Sequence, residues 1–301
     1  MTQYSHIVIS GGGLYGISLL GIFRYFYIEN KLKNVKNIAG NSVGSLFCLA
    51  HSIGIDIEEL ELIIKNLVKE EKLIVTKKNI GNIFLYNGIL NFNIITNKLK
   101  EYFNQKYNET DITFLELSKK FGINLYISAT NINTTENIIF STDNTPNVSI
   151  FDATHASITI PYLGIPVLID GEYYVDGLMS NNFPINIFKN INKDNILGIV
   201  INVKNDYKVN KLEKNTQINF IDYSRKLIEI LIKNSSKSTF LKYIKNEYAN
   251  LLIIEDSPIN EMIPLKTCDN NIKYDFTELD IDNLILDGFI KAENFFNYIK
   301  S

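Results

Sequence analysis

The chain has little of several residues that most often betray a function. Among its 301 residues are three histidines, two cysteines and no tryptophan. Two cysteines, Cys48 and Cys268, cannot build a disulfide framework, and Cys48 lies in an apolar helical stretch where it reads as a small core residue. A reducing, cytoplasmic setting is the expectation. No apolar run reaches the roughly 18 residues that span a bilayer, so no transmembrane helix is expected. The N-terminus has no basic region followed by a long apolar stretch, so no signal peptide is expected either. Charge of one sign is also missing: 30 Lys and Arg against 33 Asp and Glu leave a net −3. Nothing in that balance suggests nucleic acid, whose binders usually show a basic patch or an extreme pI. The lack of Trp beside abundant Asn, Ile and Lys reads as a codon bias toward A and T, so Asn-rich segments carry no argument.

What is present is enough hydrophobic material, 46% of residues, to bury a sizeable core. The length allows one large α/β domain, or one domain with an appendage. His6 to Ser10 is a short apolar run ending at three glycines and reads as a buried parallel strand. Ile17 to Ile28 is apolar nearly all round, as in a helix packed inside a large domain. Val35 to Ala39 reads as a second strand and Val43 to Ile53 as a second helix. The order β-α-β-α opens a doubly wound sheet. Asp56 and Glu59 suggest a helix with Leu60, Ile63, Ile64, Leu67 and Val68 on one stripe. Residues 73 to 92 read as irregular, and Asn93 to Tyr102 as helical. Thr113 and Glu116 form a capping-box pattern, with Gly122 placed as a C-cap. Ile123 to Thr130 and Glu136 to Ser141 read as paired strands, and Thr154 to Ile160 as a short helix ending before Pro161. Ile165 to Asp176 is the clearest hairpin, turning on Asp170-Gly171. Leu197 to Val203 is a last strong strand. Texture changes near residue 205. Beyond it come a long amphipathic helix over 218–244, an apolar run Leu251 to Ile254 and a final helix Asp280 to Ile299.

Two glycine motifs carry chemistry. Gly40-Asn41-Ser42-Val43-Gly44 stands between a strand and a helix, the setting of a nucleophile elbow, in which the serine hydroxyl is exposed at a strand's carboxyl end. Gly11, Gly13 and Gly16 fit the dinucleotide fingerprint G-x-G-x-x-G. That use needs an acid at the end of the second strand, and none occurs between Glu29 and Asp56. A phosphate loop of the Walker type fails because no Gly-Lys-Ser/Thr is present. Gly11-Gly12-Gly13 has an alternative use as an oxyanion hole, its amides aimed at a small anionic oxygen. A serine nucleophile also needs a base. His6 begins the first strand, at the end away from the glycines. His51 lies roughly 13 Å along the helix from Ser42 at 1.5 Å per residue. His155 is left, and the Ser-acid-His order would then require Asp143 or Asp152, neither in a clear signature. A carboxylate acting directly is the remaining option. Asp176-Gly177 ends the hairpin on a rigid strand, although Asp-Gly there also suits a turn. Asp170-Gly171 is the hairpin turn itself, and Asp287-Gly288 falls inside a helical pattern.

These residues resemble the patatin-like phospholipase family across most of the first 200 positions. Ser10 to Gly16 resembles its glycine-rich loop and Gly40 to Gly44 its elbow. Ala156-Ser157-Ile158-Thr159-Ile160-Pro161, Pro166, Tyr174-Val175-Asp176-Gly177 and Asn181-Asn182-Phe183-Pro184 resemble the block around its aspartate. The resemblance implies a doubly wound, mostly parallel α/β sheet with helices on both faces. It would fill residues 5–205, with 206–301 a mainly helical extension packed on it. It implies a Ser42 nucleophile, an Asp176 base and an oxyanion hole from Gly11, Gly12 and Gly13, framed by Gly16, Gly40, Gly44 and Gly177. It implies no metal or organic cofactor. The substrate would be a phospholipid or other lipid ester, met at a membrane surface by peripheral contact. Asp176 would need its pKa raised by burial to act near neutral pH. Two positions depart from the family: Tyr15 where Arg or Lys is usual, and Leu178 where Gly or Ala is usual. They support the alternative of a weakly active or non-catalytic relative that binds lipid or a partner. The amphipathic segments 56–71 and 218–244 read as core-packing or capping helices ahead of lipid-contacting ones.

Overall fold

The computed structural model describes residues 4–69, 87–90, 92–201, 250–255, 265–268, 271–274 and 277–300, with single positions at 223, 226, 227 and 230. The apolar run His6–Ile9 forms β1 and leads through the glycines into α1, Ser18–Ile28. Next come β2 (Asn37–Asn41), α2 (Val43–Ser52) and α3 (Ile57–Lys69). After β3 (Gly88–Leu90) the chain forms α4 (Asn93–Tyr107), α5 (Phe114–Phe121), β4 (Asn124–Asn131) and β5 (Asn137–Phe140). Then follow α6 (Ile150–Ile158), β6 (Tyr162–Gly164), β7 (Val167–Ile169), β8 (Glu172–Asp176) and β9 (Ile196–Ile201). The described C-terminal elements are β10 (Asn250–Ile254), the hairpin β11 (Leu265–Cys268) and β12 (Asn271–Tyr274), and α7 (Glu278–Lys300).

The central sheet runs β10-β9-β1-β2-β4-β8-β7, with β5 also paired to β4. Strands β10, β9, β1, β2 and β4 are mutually parallel, and β5, β8 and β7 join antiparallel. Because β1 and β2 are neighbours with Ile9 opposite Gly40, the loops leaving their carboxyl ends emerge side by side. One face is buried under α1, α2, α3, α6 and α7, through residues such as Phe23, Phe26, Phe47, Leu49 and Ile281. On the other, Val8, Ala39, Ile196 and Val200 meet Phe183, Ile185 and Phe188 from the short helical turns after β8.

Helices α1 and α7 meet backbone to backbone. A Cβ on Gly21 would lie 1.8 Å from the Ile285 carbonyl oxygen, and one on Gly288 would lie 1.9 Å from that of Ser18. Gly288 therefore serves a helix crossing, which accounts for the Asp287-Gly288 dipeptide inside a helical pattern. The capping box at Thr113 forms as expected, its hydroxyl accepting from the Glu116 N–H, and Gly122 closes α5 at φ 66. The hairpin turns on Asp170 (φ 49) and Gly171 (φ 84), both left-handed as a primed turn requires.

Some expectations change. Residues 88–90, read as irregular, form a strand parallel to β6; three residues are too few for periodicity to register. Helix α6 begins at Ile150, not Thr154, because Ser149 caps it by accepting from the Phe151 and Asp152 N–H groups. The run Leu251 to Ile254 lies in β10, which extends the central sheet parallel to β9. The expected helix 218–244 lies almost wholly outside the described residues.

Candidate active site

β2 delivers Ser42 directly into α2. Ser42 has φ 51 and ψ −128, a left-handed conformation that costs of order 1–3 kcal/mol in a non-glycine residue. The flanking glycines make the turn fit. A Cβ on Gly40 would stand 2.6 Å from the Gly44 carbonyl carbon, and one on Gly44 would stand 2.6 Å from the Ile9 carbonyl oxygen. Helix α2 thus backs onto β1 with no room for a side chain. The Ser42 N–H donates to Ser157 Oγ at 2.9 Å, tying the elbow to α6. Its carbonyl accepts from Ser45 Oγ at 2.6 Å. Ser42 keeps 8% of its surface open.

Asp176 ends β8, opposite Ala129 of β4. It is fully buried. Its Oδ1 accepts from the Leu178 N–H at 2.8 Å and from Asn41 Nδ2 at 3.1 Å. Among the described residues Oδ2 has no hydrogen-bond partner. Burial pushes the Asp176 pKa up from 3.8 to about 6, against the opposing pull of the Ser42 hydroxyl, the Leu178 N–H and Asn41. The Ser42 influence acts without a hydrogen bond of good geometry, as is common in unliganded sites whose catalytic contacts tighten only around substrate.

The glycine loop lies against the nucleophile: a Cβ on Gly11 would come within 3.0 Å of Ser42 Cβ. The Gly11 N–H is already donated to the Asn182 carbonyl at 3.1 Å, so Gly11 is a strut and not the free donor expected. The amides of Gly12 and Gly13 stand where the helical turn Gly13–Ile17 begins, a position at which N–H groups have no partner within the turn. Gly16 packs on Val43, and Gly177 sits against the Asn41 side chain.

No histidine is hydrogen-bonded to Ser42 or Asp176 among the described residues. His6 contacts Ser5 and Phe188, and His51 contacts Tyr27. His51 and His155 are held neutral by burial, each with its pKa lowered to about 4. Asp287 pairs with Lys291 at 2.6 Å. Burial raises the Asp152 pKa, and the residue sits in the capped first turn of α6.

Ser42 and Gly13 open on an apolar cavity of about 160 Å³. Its walls are Leu60, Ile63, Ile64 and Leu67 of α3, Leu46 and Phe47 of α2, Ile95 and Leu99 of α4, and Ile158, Ile160 and Leu163 around β6. The hydrophobic stripe of α3 is thus turned inward as a cavity wall. Three buried polar residues that complete the site were not singled out from sequence: Asn41, Ser157 and Asn182. Each lies inside a quoted motif, and a polar side chain beside a buried strand was the available signal.

The family profile for patatin-like phospholipase matches residues 7–189, from β1 to just past the helical turn Ile185–Phe188. The chain belongs to the patatin-like phospholipase family. Uncharacterized protein R571 of Acanthamoeba polyphaga mimivirus is 28% identical over 256 residues, 84% of this chain and 83% of its own length. Probable lipid hydrolase 463L of Invertebrate iridescent virus 6 is 31% identical over 196 residues, 64% of this chain and 66% of its own. Among solved structures, VipD from Legionella pneumophila superposes with a TM-score of 0.53 at 15% identity, covering 98% of this chain and 67% of VipD. At that identity the likeness speaks for the fold alone. Membership of the family supports lipid hydrolysis as the activity of this patatin-like chain. Among the described residues no helix is long and apolar enough to cross a membrane, and no cluster of His, Cys, Asp and Glu is arranged to hold a metal ion.

Proposed function

We propose that the protein is a lipid acyl hydrolase of the phospholipase A or lysophospholipase type, cleaving carboxylic esters through a Ser42–Asp176 dyad. The observation that carries this reading is a fully buried carboxylate with one oxygen held and the other unpartnered, beside a strained serine at the mouth of an apolar cavity. Ser42 Oγ attacks the ester carbonyl as its proton passes to Asp176. The oxyanion is held by the amides of Gly12 and Gly13. Asp176 then returns the proton to the departing alcohol, leaving an acyl-Ser42 ester. Water hydrolyses that ester, with Asp176 taking a proton from the water and handing it back to Ser42. The acyl chain occupies the apolar cavity, and substrate is met at a lipid surface by peripheral contact.

Tyr15 and Leu178, the two departures from the family pattern, do not weaken the reading. Tyr15 is buried in the core, and Leu178 contributes its N–H, which any residue other than proline supplies. We extend the catalytic unit beyond residue 205, since β10 extends the sheet beyond β9 and α7 packs on α1. The test is hydrolysis of phospholipid in mixed micelles. Wild type releases fatty acid, and both Ser42→Ala and Asp176→Asn reduce the rate to background. Release undiminished in Ser42→Ala would overturn the reading.

A further inference from the structure

Outside the dyad, the most constrained polar side chain of the site is Asn41, the residue before the nucleophile. It is fully buried. Its Nδ2 donates twice, to Asp176 Oδ1 at 3.1 Å and to Asn182 Oδ1 at 2.9 Å. Asn182 in turn donates from Nδ2 to the Gly11 carbonyl at 3.3 Å, and its own carbonyl accepts the Gly11 N–H at 3.1 Å. Two side-chain amides, Asn41 and Asn182, therefore link the ends of β2 and β8 to the loop after β1, which carry the nucleophile, the base and the glycines. The elbow itself demands nothing of this position beyond fitting the turn. A buried amide is costly unless its bonds are used, and among the described residues Asn41 Oδ1 has no hydrogen-bond partner. Only its two donated bonds account for an asparagine here.

We propose, resting on the dyad reading, that Asn41 is a positioning residue: it pins Asp176 Oδ1 so that Oδ2 is the oxygen presented to Ser42, and it ties the base to the glycine loop through Asn182. A carboxylate can rotate about its last bond and exchange its two oxygens. With Oδ1 held by Leu178 from its own segment and by Asn41 from β2, that rotation is blocked. Asn41 also favours the charged form by donating to it.

Among the described residues, the influences on the Asp176 carboxyl besides burial are the neutral Ser42 hydroxyl, Leu178 N–H and Asn41 amide. From β4, Thr130 Oγ1 donates to the Asp176 carbonyl at 3.0 Å, and from the end of α6 the Thr159 carbonyl accepts its N–H at 2.8 Å. Ser128 of β4 lies against Gly177. His155 of α6 is held neutral by burial. Tyr126 of β4 packs among the apolar residues of the opposite face. Glu172, at the far end of β8, accepts from Asn131 and Tyr174. None of these charged or titratable groups is among the influences on the Asp176 carboxyl.

The test is the pH dependence of ester hydrolysis by the full chain in wild type, Asn41→Leu and Asn41→Asp. Asn41→Leu removes the donor at nearly constant shape. It should lower kcat about tenfold or more with KM little changed, and move the acid limb up by about one pH unit. Asn41→Asp sets a second carboxylate beside the first and should move the limb further. Asn41→Ala repeats the test should the leucine variant not fold. A packing role would reduce activity without shifting the limb, so coincident limbs in an active wild type and these variants overturn the Asn41 proposal alone. A wild type without activity, or an active Ser42→Ala, overturns the dyad reading and this proposal with it.

Discussion

Asp176→Asn should remove the activity and, above neutral pH, make the protein more stable. The carboxyl is fully buried, with its pKa raised to about 6 from an ordinary 3.8. Between those values the unfolded chain gives up its proton while the folded chain keeps it. Stability then falls as pH rises through this window, and above about pH 6 the full cost of a buried charge is present. A displacement of about two units at about 1.4 kcal/mol per unit amounts to roughly 3 kcal/mol. Asparagine keeps an oxygen for the Asn41 and Leu178 donors and carries no charge, so it avoids the cost. Urea unfolding of wild type and Asp176→Asn at several pH values from about 4 to 8 isolates the effect, because every other titrating group cancels in the difference. The two proteins should be closest near pH 4 and diverge until the variant leads by roughly 3 kcal/mol near pH 8. A difference that stays flat across this range, or a variant less stable at the alkaline end, would refute the argument that burial raises the carboxyl.

Two further predictions bear on the fold and the cavity. Gly288→Ala would drive a methyl group to 1.9 Å from the Ser18 carbonyl oxygen and force α1 and α7 apart; a loss of about 3 kcal/mol in urea unfolding is expected, whereas an unchanged midpoint would mean the helices are not in backbone contact. Leu46→Trp fills part of the cavity beside Ser42; the ratio of long-chain to short-chain ester hydrolysis should fall about tenfold or more, and an unaltered ratio would remove the cavity as the acyl site.

Much of this was legible because the informative signals were local. Strand, Gly-Xaa-Ser-Xaa-Gly, helix is a contiguous pattern whose geometry follows from Gly40 and Gly44. The Asp170-Gly171 turn fixed the hairpin that ends at Asp176, and the order β-α-β-α pointed to the doubly wound sheet in which β1 and β2 pair. What escaped was long-range. That the Gly11 amide is occupied depends on Asn182, which lies 171 positions away. Nothing local marks Asn41 within the elbow motif, because its partners come from beyond its own strand. β10 lacked any periodicity that would distinguish a sheet strand from an apolar loop, and only its pairing with β9 assigns it. The inward turn of the α3 stripe was likewise invisible, since an amphipathic face shows where apolar residues lie and not what they cover.

The central claim is that Ser42 is a nucleophile activated by Asp176. Reaction of the folded full chain with a fluorophosphonate probe, read by intact mass and peptide mapping, tests it most directly. The account predicts a single adduct on Ser42, absent in Ser42→Ala and formed far more slowly in Asp176→Asn. No adduct on well-folded wild type, or an adduct on another residue, would contradict it.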